Sequence, residues 1–563
     1  MANLDQLTVL VIEANQGMRA QLRTMLESFR ITGVQFAPSA GSAVRKLREQ
    51  VFDVIFCDHD LGEGQDGQHL LEDLRTRAII PRRTIFIMIT GERNYERVIG
   101  TAELSPDDYI LKPLTAGTLQ MRLERALNHR ELFLQLFDAI DRGDLERAIT
   151  LCEQGEAEHP RQRTDFMRER AELLATLGRT TDALAVFERV LALKSAPWAR
   201  LGCARMHYLR HEYHEALALL EGLVAESAYF LAAYDWLART RKEIGALEQA
   251  REALADAVEL SPHRLSRLRH YAQAAMDTAH YQDAERTLGE VVRKSKYSDF
   301  RDPEDHVRLV RAQLAQTRYD EAENTVRDLE RSLPGQPETL VCSALSRALI
   351  LKQRQDHAGA RDAVLDALAA GSRASGLSAD LKQQLVEACL DNQLDTEGSE
   401  LVADMLRHAE DEQALTHSRA VLRRRGRDDL AEAVEQRIHA EVKTFVARGA
   451  QKAQAGDFDG AVQEMMGAVR KLPGNPHVLF NAALAILRHI EHKGWNERLA
   501  EQARTLVVRT RRLDPANEKL DALSHFMQTL AKKYGIRADR ATADVATQPE
   551  GRSPQKAKAA WLR

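Results

Sequence analysis

The chain has 563 residues, of which 29% are charged and 5% aromatic, and a formal net charge of -5. Single cores stop growing near ~250 to 300 residues, so more than one domain is expected. The acidic balance gives no global basic field for nucleic acid, no apolar run approaches the ~20 residues that span a bilayer, and MANLDQLTVLVI lacks the basic start and long apolar core of a secretion signal.

Taken in order, the first 130 residues alternate apolar runs with helix-like stretches. Leu7 to Ile12 (LTVLVI) is a predicted strand ending at Glu13, and Val51 to Cys57 (VFDVIFC) a second ending at Asp58. Thr84 to Ile89 (TIFIMI) ends at Thr90-Gly91, and Tyr109 to Leu111 ends at Lys112-Pro113. Unbroken apolar residues such as Val54, Ile55, Phe56 and Cys57 suit a strand covered on both faces of a parallel sheet. Helices are expected over Gln16 to Phe29, Ser39 to Gln50, Gln68 to Arg77, Glu92 to Ala102 and Ala116 to His129. The pattern predicts a doubly wound α/β sheet, whose chemistry sits at the carboxyl ends of the strands. Two acids, a hydroxyl and an ammonium would then meet in one crevice.

These residues resemble the receiver domain of two-component response regulators, over roughly residues 5 to 130. The resemblance implies a (βα)5 fold in which Asp58 is the phosphoacceptor, Lys112 and Thr90 contact the phosphoryl group, and Tyr109 is an aromatic switch that follows Thr90. It also implies a cis Lys112-Pro113 bond and a Mg2+ ion held by Glu13, Asp58 and the backbone carbonyl of Asp60. Physically, a carboxylate attacks a phosphoryl donor poorly because both are anionic, and a cation with an ammonium relieves that repulsion. Two departures bear on the metal. Ala14 stands where the family carries its second acid, and the loop HDLGEGQDG is one residue longer than usual, with Gly62 where proline is common.

From Leu132 onward an alanine recurs between bulky neighbours after a short polar turn, at Ala148, Ala183, Ala216, Ala250 and Ala284, in steps of 35, 33, 34 and 34 residues. Ala322, Ala360 and Ala461 continue the series, with Ala503 a weaker copy and Gly398 or Ala431 as anchors in the degenerate stretch 370 to 445. This period resembles the tetratricopeptide repeat, a helix-turn-helix unit stacked into an α-helical solenoid. The resemblance implies a groove lined by the first helix of each repeat, where Arg205, Arg239 and Arg269 would suit an acidic peptide. No paired catalytic acids, nucleophile triad, glycine-rich phosphate loop or zinc-spaced cysteines stand out, and the five scattered cysteines read as reduced core thiols.

The expected domains are therefore a receiver at 5–130, repeats at 131–536 and a disordered tail at 537–563 with six basic and three acidic residues. The reading is a cytoplasmic, non-enzymatic response regulator. It takes a phosphoryl group from a histidine kinase or phosphotransfer protein and binds a protein or peptide through its repeats. Membrane insertion and nucleic acid are not expected, and homodimerisation is left open. Two alternatives stand beside it: a scaffold whose degenerate receiver takes no phosphate, and a DNA-binding transcription regulator. No Pro/Gly/Ser linker separates Ala116 to His129 from the helix expected at Glu131 to Asp141, so a tightly coupled junction is predicted.

Overall fold

The computed structural model describes residues 4–62, 66–91, 106–262, 264–296, 301–374, 376–514 and 517–535. The expected helix at Glu92 to Ala102 and the tail from Arg537 lie outside the described residues. By its contacts the chain divides into two compact units, one running to Arg318 and the other starting at Tyr319 and including Thr176–Gly178.

The first unit opens with five parallel strands, β1 (Thr8–Ile12), β2 (Gly33–Ala37), β3 (Val54–Asp58), β4 (Ile85–Thr90) and β5 (Asp108–Leu111), in the order β2-β1-β3-β4-β5. Side chains of β3 alternate between two cores. Val54 and Phe56 join Leu22, Leu26 and Leu123, whereas Ile55 and Cys57 join Leu47, Leu70 and Leu74. Both faces are therefore covered, which is why the strand reads as an unbroken apolar run. Strand β2 was not among the apolar runs recognised above. It is the edge strand beyond β1 and only its last residue is fully buried, so GVQFA needs little apolar character.

Helices α1 (Gln16–Ser28), α2 (Ala40–Glu49) and α3 (Gly67–Thr76) connect the strands. Asn15 caps α1 through the Met18 N–H, and Ser39 with Ser42 forms a capping box on α2, each satisfying amide groups that a helix start leaves open. Helix α4 runs without interruption from Ala116 to Asp141, merging the two helices read separately in the sequence. Its first half buries Leu119, Leu123 and Leu127 on the sheet, and its second half buries Phe133, Leu136 and Ala139. Midway, Arg130 reaches the Asp53 carboxylate at 3.5 Å.

Helical hairpins fill the remainder of the first unit: α5 (Leu145–Glu158), α6 (Arg163–Thr176), α7 (Thr180–Leu193), α8 (Pro197–Leu209), α9 (Tyr213–Glu226), α10 (Leu231–Glu243), α11 (Leu247–Leu260), α12 (Leu265–Asp277), α13 (Tyr281–Ser295) and α14 (Glu304–Leu314). The second unit holds α15 (Tyr319–Ser332), α16 (Pro337–Gln353), α17 (His357–Gly371), α18 (Ala379–Asp391), α19 (Asp395–Arg407), α20 (Glu412–Arg424), α21 (Asp428–Gln454), α22 (Phe458–Lys471), α23 (Pro476–Lys493), α24 (Glu497–Leu513) and α25 (Lys519–Lys533). Among the described residues no helix is long and apolar enough to cross a membrane.

Two features mark these hairpins as one repeated unit. Ala148, Ala183, Ala216, Ala250, Ala284, Ala322, Ala360 and Ala461 each occupy the fourth position of a second helix, and each is at most 4% exposed. Gly398 and Ala431 take the same place in α19 and α21, so both anchors are filled in the degenerate stretch. In α24 the equivalent residue is Ala500, one turn ahead of the expected Ala503, and both are buried. Two residues before each second helix from α5 to α22, the backbone turns left-handed, at Gly143, Gly178, Gly245, Gly426 and Gly456, and equally at His211, Ala279, Thr317, Gln355 and Gln393. That conformation closes the preceding helix by satisfying its last carbonyls, as when the Glu212 N–H donates to His207 O at 2.9 Å. Helix α21 serves two hairpins: it begins as the second helix of one and ends at the Gly456 turn into α22.

Candidate functional site

Glu13, Asp58, Thr90 and Lys112 converge because each follows or ends a strand at the carboxyl edge of the sheet. Cα pairing of Asp58 with Ile89 and of Thr90 with Leu111 brings these ends level. Asp58 is 5% exposed, Glu13 2% and Thr90 2%. Lys112 Nζ donates to Asp58 Oδ2 at 2.5 Å and lies 3.5 Å from Glu13 Oε2. The lysine backbone is fixed on both sides, since its N–H donates to Thr90 O at 2.8 Å and its bond to Pro113 is cis. Tyr109 lies on β5, three residues before the lysine.

The electrostatics follow from two acids sharing one cation. Burial, and then the hydrogen bond to Asp58, hold the Glu13 carboxyl above the usual carboxylate range; the Asn15 N–H, which donates to Glu13 Oε1 at 2.8 Å, pulls the other way. Burial works against the Lys112 ammonium, but the hydrogen bond and charge of Asp58, aided by Glu13, more than offset it and raise Lys112 above its ordinary value. An all-oxygen pair of carboxylates short of positive charge fits a hard divalent cation. Magnesium keeps several waters and is commonly held by one or two carboxylates. Asp60, whose N–H donates to Asp58 Oδ1 at 3.3 Å, brings its backbone to the same edge. Where the family's second acid would stand, the Ala14 carbonyl instead accepts from Arg19 Nη1 at 2.7 Å, as does the Glu13 carbonyl at 2.7 Å.

Helix α3 starts hard against the acid. A Cβ on Gly67 would lie 2.3 Å from the Asp58 carbonyl oxygen, so only glycine fits there. Nothing in the sequence reading singled out this residue, although a glycine at a strand-to-helix turn beside a candidate acid is a usable signal.

On the repeats, Arg205, Arg239 and Arg269 lie on α8, α10 and α12, the first helices of successive hairpins. Arg205 makes a bidentate pair with Glu172 at 2.8 and 3.1 Å, and Arg269 one with Asp305 at 2.7 Å for both bonds. Arg239 stacks over Trp236, its guanidinium carbon 5.0 Å from the ring centroid. These ion pairs join residues about one repeat apart and so bolt neighbouring first helices together. The same face carries residues the sequence reading did not select. Arg267, 1% exposed, makes a bidentate pair with Asp235 at 3.2 and 3.0 Å. His270 is pushed down to about 4 by burial and by Arg239, Arg264, Arg269 and Arg308.

Residues 9–124 match the response regulator receiver domain family. The chain is 31% identical over 125 residues to the transcriptional regulatory protein ZraR of Escherichia coli (strain K12), covering 22% of this chain and 27% of that protein. It is 27% identical over 117 residues to the chemotaxis protein CheY-3 of Vibrio cholerae, covering 21% of this chain and 88% of that one. The chain thus spans about a quarter of the length of the transcriptional regulator. Among solved structures, a tetratricopeptide repeat protein from Parabacteroides merdae aligns at 13% identity and a TM-score of 0.32, covering 46% of this chain and 97% of that one. The N-terminal region is a response regulator receiver domain, and an all-helical array of tetratricopeptide-like hairpins follows it.

Proposed function

We propose that the chain is a phosphorylation-controlled adaptor, a receiver at 5–130 whose state is read out by protein binding on the repeats at 131–536. The observation that supports it is the buried Asp58 carboxylate at the end of β3, 2.5 Å from the Lys112 ammonium and against Glu13. Phosphotransfer would form a bond from an Asp58 oxygen to phosphorus and break the phosphorus–nitrogen bond of a phosphohistidine, whose nitrogen leaves as free imidazole. Lys112 would follow the charge from the carboxylate to the phosphoryl oxygens, and the Thr90 hydroxyl, level with Asp58, would receive one of them. Tyr109 would then sense the displacement of Thr90. A bound Mg2+, held by Glu13, Asp58 and the Asp60 carbonyl, would supply further neutralisation of the entering charge. Beyond its own phosphorylation and hydrolysis the receiver turns over no substrate. The partners are then a histidine kinase or phosphotransfer protein on one side and a protein ligand of the array on the other.

Ala14, with its carbonyl occupied by Arg19, favours the alternative of a scaffold whose receiver no longer takes phosphate. One experiment separates them: the full chain is incubated with a small-molecule acyl phosphate and Mg2+, and its intact mass is compared with that of Asp58→Ala. A gain of one phosphoryl group in the parent alone supports the switch. No gain, together with failure to form a beryllium fluoride complex, supports the scaffold.

A further inference from the structure

The first helices of the repeats in the first unit are not bare, because residues of the receiver's α3 reach them. Leu70, Leu71 and Leu74 of α3 point into the receiver core, so the acids on the other side of this helix would ordinarily face water. Glu72 is instead only 14% exposed, and its Oε2 lies 3.5 Å from Nε of Arg264, at the start of α12. The charge of the adjacent Asp73 acts on Arg269 of α12. A few residues on, Arg82 reaches Glu169 of α6 at 3.8 Å. The receiver thus touches the first helices of separate hairpins through opposite charges.

The receiving face is electrostatically prepared. The guanidiniums of Arg239, Arg264, Arg269 and Arg308 act together on His270, and Arg267 lies on the same helix α12, with Asp235 and Asp305 engaged in bidentate pairs within the array. An occupant with two consecutive acids directed away from its apolar side matches this arrangement, and α3 is such a helix.

We propose that α3 is an internal ligand of the array, and that the face it covers is the docking site for an acidic helix of a partner carrying the same paired acids, which competes with α3. This inference rests on reading the array as a protein-binding output. It adds to that reading the site, the partner chemistry and the segment that guards it. The guard is well placed, because Gly67 seats the start of α3 against the carbonyl of Asp58.

The test uses the full chain and a fluorescent helical peptide with the sequence of residues 66–77. Glu72→Arg with Asp73→Arg should vacate the face and bind the peptide at least ten-fold more tightly than the parent by anisotropy, with helix content by circular dichroism unchanged. Hydrogen exchange should show the amides of α3 and α12 losing protection together in Glu72→Arg and regaining it in the charge swap Glu72→Arg with Arg264→Glu. Equal peptide affinity in parent and variant, or no binding to either with helix content intact, overturns the proposal, as does a charge swap that restores nothing. None of these readouts involves phosphorylation of Asp58, so a failed phosphodonor experiment is distinguishable from a failure here.

Discussion

Replacing Lys112 with methionine tests whether one ammonium holds two buried acids together. Its Nζ is 2.5 Å from Asp58 and 3.5 Å from Glu13, and the acids are 5% and 2% exposed. Without it, two carboxylates in hydrogen-bonding contact repel by roughly 4 kcal/mol at an effective dielectric near 20. Breaking a buried pair by removing one partner costs about 3 to 5 kcal/mol, and because the lysine side chain is 26% exposed the expected loss is nearer ~2 to 3 kcal/mol. The loss should depend on pH. Glu13 already has a raised folded value, so the folded state keeps a proton that the unfolded chain releases. Its contribution to stability is complete below the unfolded carboxylate range and falls as pH rises towards the folded value. Removing the ammonium raises the folded value further and extends that fall to higher pH. Lys112→Met should therefore cost ~2 to 3 kcal/mol at pH 7.5 and less at pH 5, nearer the ordinary carboxylate range, where the raised Glu13 more readily keeps its proton. The array carries all four tryptophans or is followed by them, so fluorescence does not see the receiver. Peptide-resolved hydrogen exchange over β1 and β3, corrected for intrinsic rates at each pH, reports it directly. An equal loss at both pH values, or none at either, would refute the reasoning.

Gly67→Ala forces a methyl group to within 2.3 Å of the Asp58 carbonyl oxygen; it should destabilise the receiver by ~1 to 3 kcal/mol and slow labelling of Asp58 by an acyl phosphate, both followed by mass spectrometry. Thr317 is a β-branched residue at a φ of 60°, so Thr317→Gly should raise the stability of its hairpin by ~1 kcal/mol in denaturant titrations, whereas Gly456→Ala, at a φ of 78°, should lower it by a similar amount. Inserting Gly-Gly-Ser after Asn128 breaks α4 beside the Arg130–Asp53 pair; any change in hydrogen exchange that beryllium fluoride induces in α5 to α14 should then vanish, and an undiminished change would show that α4 does not carry it.

What the sequence shows depends on how locally each feature is encoded. Asp58, Glu13 and Thr90 are legible because a strand covered on both faces must be apolar throughout, so the first polar residue at its end marks the sheet edge, whereas Lys112 follows the edge strand β5, where only Ile110 is buried, and is marked by the Lys-Pro step instead. Strand β2 escapes that logic because GVQFA is an edge strand with only Ala37 fully buried. The anchor alanines are legible because the fourth position of each second helix is buried whatever the rest of the repeat does, and Gly398 satisfies the same steric demand as alanine. The left-handed turns are only half legible. A non-glycine residue there costs ~1 to 2 kcal/mol, little enough for Thr317 and Gln393 to stand where Gly143 and Gly456 advertise the turn.

Charge pairs are the least local feature, and the array shows why. Arg205 and Arg269 were legible as basic positions on first helices, but their engagement with Glu172 and Asp305 requires partners 33 and 36 residues away in register. Glu72 and Arg264 are farther apart still, on different elements whose local patterns make each look like an ordinary solvated charge. A helix carrying adjacent acids gives no sign in sequence of whether they meet water or a guanidinium; burial of Glu72 decides it. The same argument sets a direction for control. If Glu72 is held by Arg264, any movement of α3 relative to the array must return two partly buried charges to water. That favours an occupant able to replace both acids at once over one that merely fills space, and a neutral analogue of the α3 peptide, with Gln and Asn for Glu72 and Asp73, should fail to displace it.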